Sequence, residues 1–422
     1  MRRLAVLSLH TSPLAQPGVG DSGGMNVYVR ELSAALARSG VTCDVFTRST
    51  SPELPPTVEV EPGLSVHHVV AGPQSYVPKE LLPALVDEYT YEVMRLMRSS
   101  EESQDFGTDD GRFEAIHANY WLSGLSGHVI KHEMDLPLVS TFHTLDRVKA
   151  EADPEEIEAD LASSRAEAEA GIIGCSDAIL ASCSVEANQI AELYGADPAR
   201  IHVVAPGVDH AFFGPGSPSQ ARRALRFPSD EPLIVFVGRI QPLKGADLAV
   251  RTLAELNSDG SRYRLAIIGG PSGRHGMDAY NGLQSLARQL GVLHQISFVD
   301  PQPHELLSTY YRAADVCMVP SRSESFGLVA LEASACGTPV VASAVGGLTT
   351  LVDHGKTGFL VHDSSASTYA AYVRRIVGDP LLAEHFAISS VRRARSYTWR
   401  SAAAVLRELH NELISDRLVE CR

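Results

Sequence analysis

The sequence predicts an α/β protein made of two doubly wound domains in tandem, and three observations carry that expectation. Short apolar runs alternate with amphipathic helical stretches along most of the chain, as a parallel sheet covered on both faces requires. The chain has 422 residues, enough for two ordinary domains. A turn-rich segment, Ala205-Pro-Gly-Val-Asp209, divides the alternation near its middle. Domains are therefore expected at 1–204 and 205–385, followed by a strandless helical segment at 386–422.

In chain order, Leu4–Leu9 reads as the first strand, followed by a Gly- and Pro-bearing loop and a helix over Met25–Arg38. Further strands are expected at Cys43–Phe46, Val66–Val70, Ala115–His117, Leu138–Thr141 and Ala178–Ala181, with helices at Glu80–Met97 and Ile157–Ala170 between them. The second series is expected to open with Ile201–Val204. It continues through Leu233–Val237, Leu265–Ile268, Ile296–Val299, Val316–Val319 and Val340–Ala342. From Pro380 onward the pattern is helical. Sheets of this kind bind ligands at the carboxyl ends of their strands, so the residues that follow each strand are the candidates for a site.

Composition narrows the chemistry. Hydrophobic residues make up 44% and charged residues 21%, enough apolar content for two cores. The net charge of −15 argues against a nucleic-acid partner, because phosphate backbones select basic surfaces. A few local cations can still build a pocket for a small anion. The acidic runs Glu101–Asp110 and Glu151–Asp160 read as solvated loops or helix faces. None of the six cysteines lies in a CxxC pair. Reduced, buried thiols in a cytoplasmic protein are expected, with neither a disulfide framework nor a zinc site. The apolar run after Met1-Arg-Arg3 is too short for a signal peptide, and no stretch approaches a membrane span, so no stable membrane insertion is expected.

The second half carries the clearest chemistry. In Phe236-Val-Gly-Arg-Ile-Gln-Pro-Leu-Lys-Gly245, Arg239 and Lys244 leave the end of a buried strand. An Arg fork and a mobile Lys charge suit a diphosphate whose charge grows as its bond to a sugar breaks. After the strand Val316–Val319, Glu324 lies in a loop ahead of a helix expected to open at Phe326-Gly-Leu, with Glu332 about two turns inside it. Such carboxylates accept hydrogen bonds from sugar or ribose hydroxyls, and a helix N-terminus favours an anion. Each residue alone also has a plain structural explanation. Gly346-Gly347 reads as a further flexible backbone element.

In the first half, Gly18-Val-Gly-Asp-Ser-Gly23 fits GxGxxG, with Asp44 about twenty residues on. A dinucleotide site needs its glycines directly after the strand, and here Thr11–Pro17 intervenes. A loop ending in Gly23-Gly-Met-Asn26, offering backbone N–H groups to a phosphate or sugar, is the better reading. His117-Ala-Asn-Tyr-Trp-Leu-Ser-Gly124 and Ser140-Thr-Phe-His-Thr144 fall at strand ends, where packing and ligand contact are both open readings.

GRIQPLKG and SESFGLVALEASACGTPVVAS, with Glu324 and Glu332 spaced as E-x7-E, resemble the family-4 retaining glycosyltransferases over nearly the whole chain. The resemblance implies the GT-B fold, two Rossmann-like domains facing across a cleft, with the C-terminal helix crossing back to the first. It assigns the donor diphosphate to Arg239 and Lys244, the ribose to Glu332 and the transferred sugar to Glu324 and His143. Gln16, Pro17, Gly24 and Gln302 complete the implied donor set. His10-Thr-Ser-Pro-Leu, Asp21-Ser-Gly-Gly-Met-Asn26, Tyr120-Trp-Leu-Ser-Gly and His143-Thr-Leu are similar to the branch of that family acting in mycothiol biosynthesis. That branch moves N-acetylglucosamine from UDP to 1D-myo-inositol 3-phosphate. The acceptor is then implied to meet His10, Asp21, Ser22, Gly23, Gly24, Met25 and Asn26. Its phosphate falls to Lys79, Tyr120, Thr144 and Arg165, although Ser163-Ser-Arg-Ala-Glu-Ala-Glu169 departs from the branch's Arg-rich spelling. The resemblance also implies a magnesium site on Tyr311, Arg312, Ala314 and Thr338, a set without the carboxylates such an ion prefers. No cofactor is required for the chemistry, and a homodimer is compatible with it. His117-Ala-Asn-Tyr and Ser140–Lys149 also resemble sucrose-phosphate synthases, which keeps fructose 6-phosphate open as the acceptor.

Overall fold

The computed structural model describes residues 1–102, 111–152, 159–273, 276–415 and 417–421. The chain divides into two compact units, the first comprising Met1–Ala15, Met25–Ala205 and Trp399–Arg422, the second Gln16–Gly24 and Pro206–Thr398. Most of both expected acidic runs lies outside the described residues.

The first unit holds an eight-stranded sheet made of β1 (Arg3–Leu7), β2 (Thr42–Arg48), β3 (Thr57–Glu61), β4 (Leu64–Val69), β5 (Ala115–Asn119), β6 (Leu138–Thr141), β7 (Ala178–Ala181) and β8 (Ile201–Val203). The order is β3-β4-β2-β1-β5-β6-β7-β8, parallel except for the β3–β4 pair. Strands β1, β5, β6 and β7 are buried at every position, because helices cover both faces of a parallel sheet. The second unit holds β9 (Leu233–Val237), β10 (Arg264–Ile268), β11 (Ile296–Val299), β12 (Val316–Val319), β13 (Val340–Ser343) and β14 (Gly358–Val361). All six are parallel, in the order β11-β10-β9-β12-β13-β14. Winding reverses between β1 and β5 in one sheet and between β9 and β12 in the other. Loops following those four strands therefore carry the expected ligand positions.

Several expectations are corrected. Ile201–Val203 closes the first sheet by pairing with β7 and does not open the second. The stretch Glu80–Met97 is not one helix. A 3-10 segment runs over Lys79–Leu85 and the α-helix over Val86–Glu102, because Pro83 supplies no backbone donor to a continuous helix. Strands β3 and β14 are not among the expected ones; two of the five residues of β3 are charged, and β14 contains a glycine. The expected helix Ile157–Ala170 is described as Ala159–Cys175. The terminal segment is also not one piece. The helix Pro380–Ala394 stays with the second unit, and only from Trp399 does the chain belong to the first, where the Trp399 ring meets Tyr28 edge-on at 5.8 Å.

Asp44 sits inside β2 and is 4% exposed, bonded by Arg3 Nε at 2.8 Å and by His67 Nε2 at 2.7 Å. Burial raises its pKa, but the bonds from His67 and Arg3 outweigh that and hold the carboxyl below its ordinary value. A carboxylate so engaged in mid-strand has no role on a ribose, which removes the structural basis of the dinucleotide reading. The cysteines also depart from expectation. Cys43, Cys183, Cys317 and Cys336 are free and buried, but Cys175 is joined to Cys421, 246 residues away, by a disulfide. Tertiary folding pairs them, which no local spacing reveals.

Candidate functional site

In the second unit the loops after β9 and β12 are locked together by backbone shape. Gly245 has φ +70, and a Cβ there would lie 2.1 Å from the carbonyl oxygen of Pro320. Only glycine permits that approach. It brings Lys244 Nζ to 2.7 Å from Glu324 Oε2, which Ser321 Oγ also reaches at 3.2 Å. Gly346, at φ +47, would place a Cβ 1.9 Å from the carbonyl oxygen of Glu324, and Gly347 donates its N–H to that same oxygen at 3.0 Å. Gly346-Gly347 is thus a close-packed clamp on the Glu324 loop and not the flexible element expected.

The helix after this loop runs over Leu328–Cys336 with Gly327 at its N-cap, so Glu332 lies just over one turn inside, not two. Glu332 is 4% exposed, and its two oxygens meet His304 Nε2 at 2.7 Å and Tyr311 Oη at 2.8 Å. Burial, then the Glu332 charge, drives the Tyr311 phenol well above its ordinary value, so it stays a donor. Arg239 donates to Ser272 Oγ at 3.2 Å and to the Asp21 carbonyl at 3.3 Å. Its Nε would lie 3.3 Å from a Cβ at Gly23, and Leu328 Cδ1 would lie 3.4 Å from one at Gly24. Gln16 Nε2 bonds the Pro301 carbonyl at 2.8 Å, with Pro17 next to it in sequence, and Gln302 Nε2 bonds that of Asp300 at 2.9 Å. The Gln16–Gly24 loop, carrying Asp21, Ser22 and Gly23, thus belongs to the second unit. His304, Ser272 and Ser321 were not singled out from the sequence. A histidine opening a helix two residues after Gln302 is the one local signal for them.

In the first unit, three of the four residues expected at the acceptor phosphate gather. Arg165 Nη2 donates to the Thr144 carbonyl at 2.8 Å and to its Oγ1 at 3.3 Å. The guanidinium carbon lies 4.9 Å from the centre of the Tyr120 ring, and the centres of the His10 and Tyr120 rings are 4.4 Å apart. Glu169 orients Arg165 through Nε at 2.8 Å and caps Asp146 N at 2.9 Å. Its spacing of i+4 from Arg165 on one helix is the sequence signal that would have found it. Lys79 stands exposed at the start of its 3-10 segment, 4.0 Å from Glu80. Met25 follows Gly24 into the helix Gly24–Arg38. Asn26 is 1% exposed and holds the preceding loop through Thr11 Oγ1 at 2.7 Å and Ser12 O at 2.5 Å.

His143 has φ +61, and its Nε2 lies 2.9 Å from Asn119 Oδ1. Burial first, then His117 and His10, pushes its pKa down to about 3, so the imidazole is neutral near pH 7. His117 is fully buried against Thr141 Oγ1 at 2.8 Å, and burial lowers it to about 4. It belongs to the core, as does Trp121.

The residues implied for magnesium do not fit a hard cation. Tyr311 is committed to Glu332, Arg312 donates to the Gly214 carbonyl at 2.8 Å, and Thr338 Oγ1 donates to the Tyr311 carbonyl at 2.6 Å. Arg312, Ala314 and Thr338 line a cavity of about 480 Å³ that also receives Arg392 and Arg395. Three guanidinium groups with no carboxylate repel a divalent ion.

Residues 219–392 match the glycosyl transferases group 1 family, and residues 23–207 match the glycosyl transferase 4-like domain. Sucrose-phosphate synthase from Thermosynechococcus elongatus is 31% identical, with a TM-score of 0.89 over 98% of this chain and 100% of that one. HepE from Anabaena in complex with UDP-glucose has a TM-score of 0.74 at 17% identity, over 98% and 100% of the two chains. Two doubly wound units, together with these matches, thus define a GT-B glycosyltransferase that uses a nucleotide sugar. The D-inositol 3-phosphate glycosyltransferase of Actinosynnema mirum is 47% identical over 405 residues, which cover 94% of each chain. This chain belongs to that enzyme's family.

Proposed function

We propose that this chain transfers N-acetylglucosamine from UDP-N-acetylglucosamine to 1D-myo-inositol 3-phosphate with retention of anomeric configuration. The observation that carries the acceptor is the 47% identity to a D-inositol 3-phosphate glycosyltransferase. The grouping of Arg165, Thr144 and Tyr120 supports a phosphate on that acceptor. UDP-glucose bound to HepE supports a uridine diphosphate donor, and the motifs of the mycothiol branch support the amino sugar.

Arg239 and Lys244 stabilise the charge that develops on the diphosphate as the bond from the anomeric carbon to phosphate oxygen breaks. Glu332 holds the ribose, with His304 and Tyr311 fixing its carboxylate. Glu324 orients the sugar and positions Lys244. The acceptor hydroxyl attacks from the leaving group's side, and its proton passes to the departing diphosphate. Neutral His143 offers the sugar a hydrogen-bonding group and not a charge. Resemblance to sucrose-phosphate synthase over 98% of the chain supports a second reading with fructose 6-phosphate as acceptor. Incubating the purified protein with UDP-N-acetylglucosamine and each acceptor separates them. UDP release dependent on inositol 3-phosphate is expected, and release only with fructose 6-phosphate would overturn the first reading.

A further inference from the structure

Away from both candidate ligand groups, the structure gathers four metal-type ligands on the first unit. His128 and His132 stand four residues apart on the helix Trp121–Met134, so their side chains share one face. Their rings lie 5.0 Å apart, centre to centre. Cys421 Sγ lies 3.0 Å from His132 Nε2 and 3.9 Å from His128 Nδ1, and it is bonded to Cys175 Sγ. Zinc–sulfur and zinc–nitrogen bonds at a tetrahedral centre put sulfur and nitrogen about 3.5 Å apart. The two observed separations bracket that value. Among the described residues, no other three His, Cys, Asp or Glu side chains come together this closely.

The backbone around these groups is built. Lys131, fully buried on the same helix, donates to the Cys175 carbonyl and to Asp177 Oδ1, each at 2.8 Å. Asp177 accepts from Val419 N at 2.7 Å through Oδ1 and from Leu138 N at 2.7 Å through Oδ2. Both cysteine segments are thereby tied to the helix that carries the histidines. A disulfide alone has no use for two imidazoles aimed at one of its sulfurs.

We propose that Cys175, Cys421, His128 and His132 form a Cys2His2 site for a zinc-type divalent cation, which exchanges with the Cys175–Cys421 disulfide. Two thiolates balance the ion's charge, and thiolate with imidazole selects zinc over magnesium or calcium. From the disulfide, a dithiol reductant delivers two electrons and two protons to the S–S bond and is itself oxidised to a disulfide. The two thiols lose their protons to solvent as the cation binds. The cation then fastens the C-terminal tail to the helix Trp121–Met134 and to the end of the helix Ala159–Cys175, which carries Arg165.

The full-length protein, reduced with excess dithiol, desalted without oxygen and titrated with cobalt(II), tests this without an activity readout. One equivalent is expected to bind with tetrahedral visible bands and thiolate-to-cobalt charge transfer, and one equivalent of zinc(II) is expected to displace it. Cys421→Ser and His132→Gln are each expected to weaken cobalt binding by more than about 100-fold, beyond what outer-shell changes produce. His132 is exposed and Cys421 lies in the tail, so both variants are expected to keep the parent's circular dichroism. Stoichiometry below one, a spectrum without charge transfer, unchanged affinity in either variant, or equal binding by the disulfide form would each overturn the proposal.

Discussion

The second unit holds its candidate groups by backbone, whereas the first holds them by side chains. In the second, Gly245 presses the loop after β9 onto the loop after β12, with Lys244 and Glu324 2.7 Å apart, and Gly346, after β13, packs on the Glu324 carbonyl. In the first, Arg165 is steered by Glu169 and bridges to Thr144 beneath the Tyr120 ring. A backbone-locked site is preorganised for charge stabilisation. A side-chain relay is easier to retune, as suits the proposed acceptor group.

Changes on the two sides should therefore fail differently. The largest effect is expected for Lys244→Ala, which removes a cation from the developing diphosphate charge. Steady-state kinetics should show kcat down by about 100- to 1000-fold, and an unchanged kcat would break the donor assignment. Arg165→Ala should raise the acceptor KM by about 10- to 100-fold, the scale of a lost charged hydrogen bond, while the donor KM stays constant. A matched rise in both would mean that Arg165 supports the fold and not the phosphate. Tyr311→Phe removes one bond to Glu332 and should raise the donor KM by about tenfold at most, with kcat preserved.

The smallest effect concerns acid stability of the first unit. His410 is fully buried with no hydrogen-bond partner for either ring nitrogen, and burial lowers its pKa from 6.5 to about 3. The unfolded chain binds a proton at this residue that the folded chain refuses. The stabilisation is thus complete above pH 6.5 and is lost as pH falls toward 3. His410→Leu should flatten the dependence of unfolding free energy on pH between 6 and 4.5 by about 1 kcal/mol per pH unit. Denaturant melts measure this, and an unaltered slope would place the titration elsewhere.

The sheets and the strand-end position of Arg239 and Lys244 were legible because they rest on local signals. Buried parallel strands are continuous apolar runs, and Arg239 and Lys244 directly follow one. Glu324 and Glu332 were equally visible, but their partners were not. His304 and Tyr311 reach Glu332 from a different helix, 28 and 21 residues earlier in the chain. The register of Glu332 within its helix differs from the expected one because Gly327, at φ +105, holds the helix start back to Leu328. A three-residue strand such as Ile201–Val203 has too few side chains for its sequence to show which sheet it joins. The Cys175–Cys421 pairing and the histidines facing it depend wholly on where the tail returns, and no periodicity encodes that.

The most direct test of the donor assignment is isothermal titration of UDP into the wild-type protein and into Lys244→Ala and Arg239→Ala variants with unchanged melting temperatures. One site is expected in the wild type, with binding weakened by about tenfold or more in each variant, the scale of one lost charge-assisted hydrogen bond. Undiminished affinity in both variants would contradict the placement of the donor diphosphate on the loop after β9.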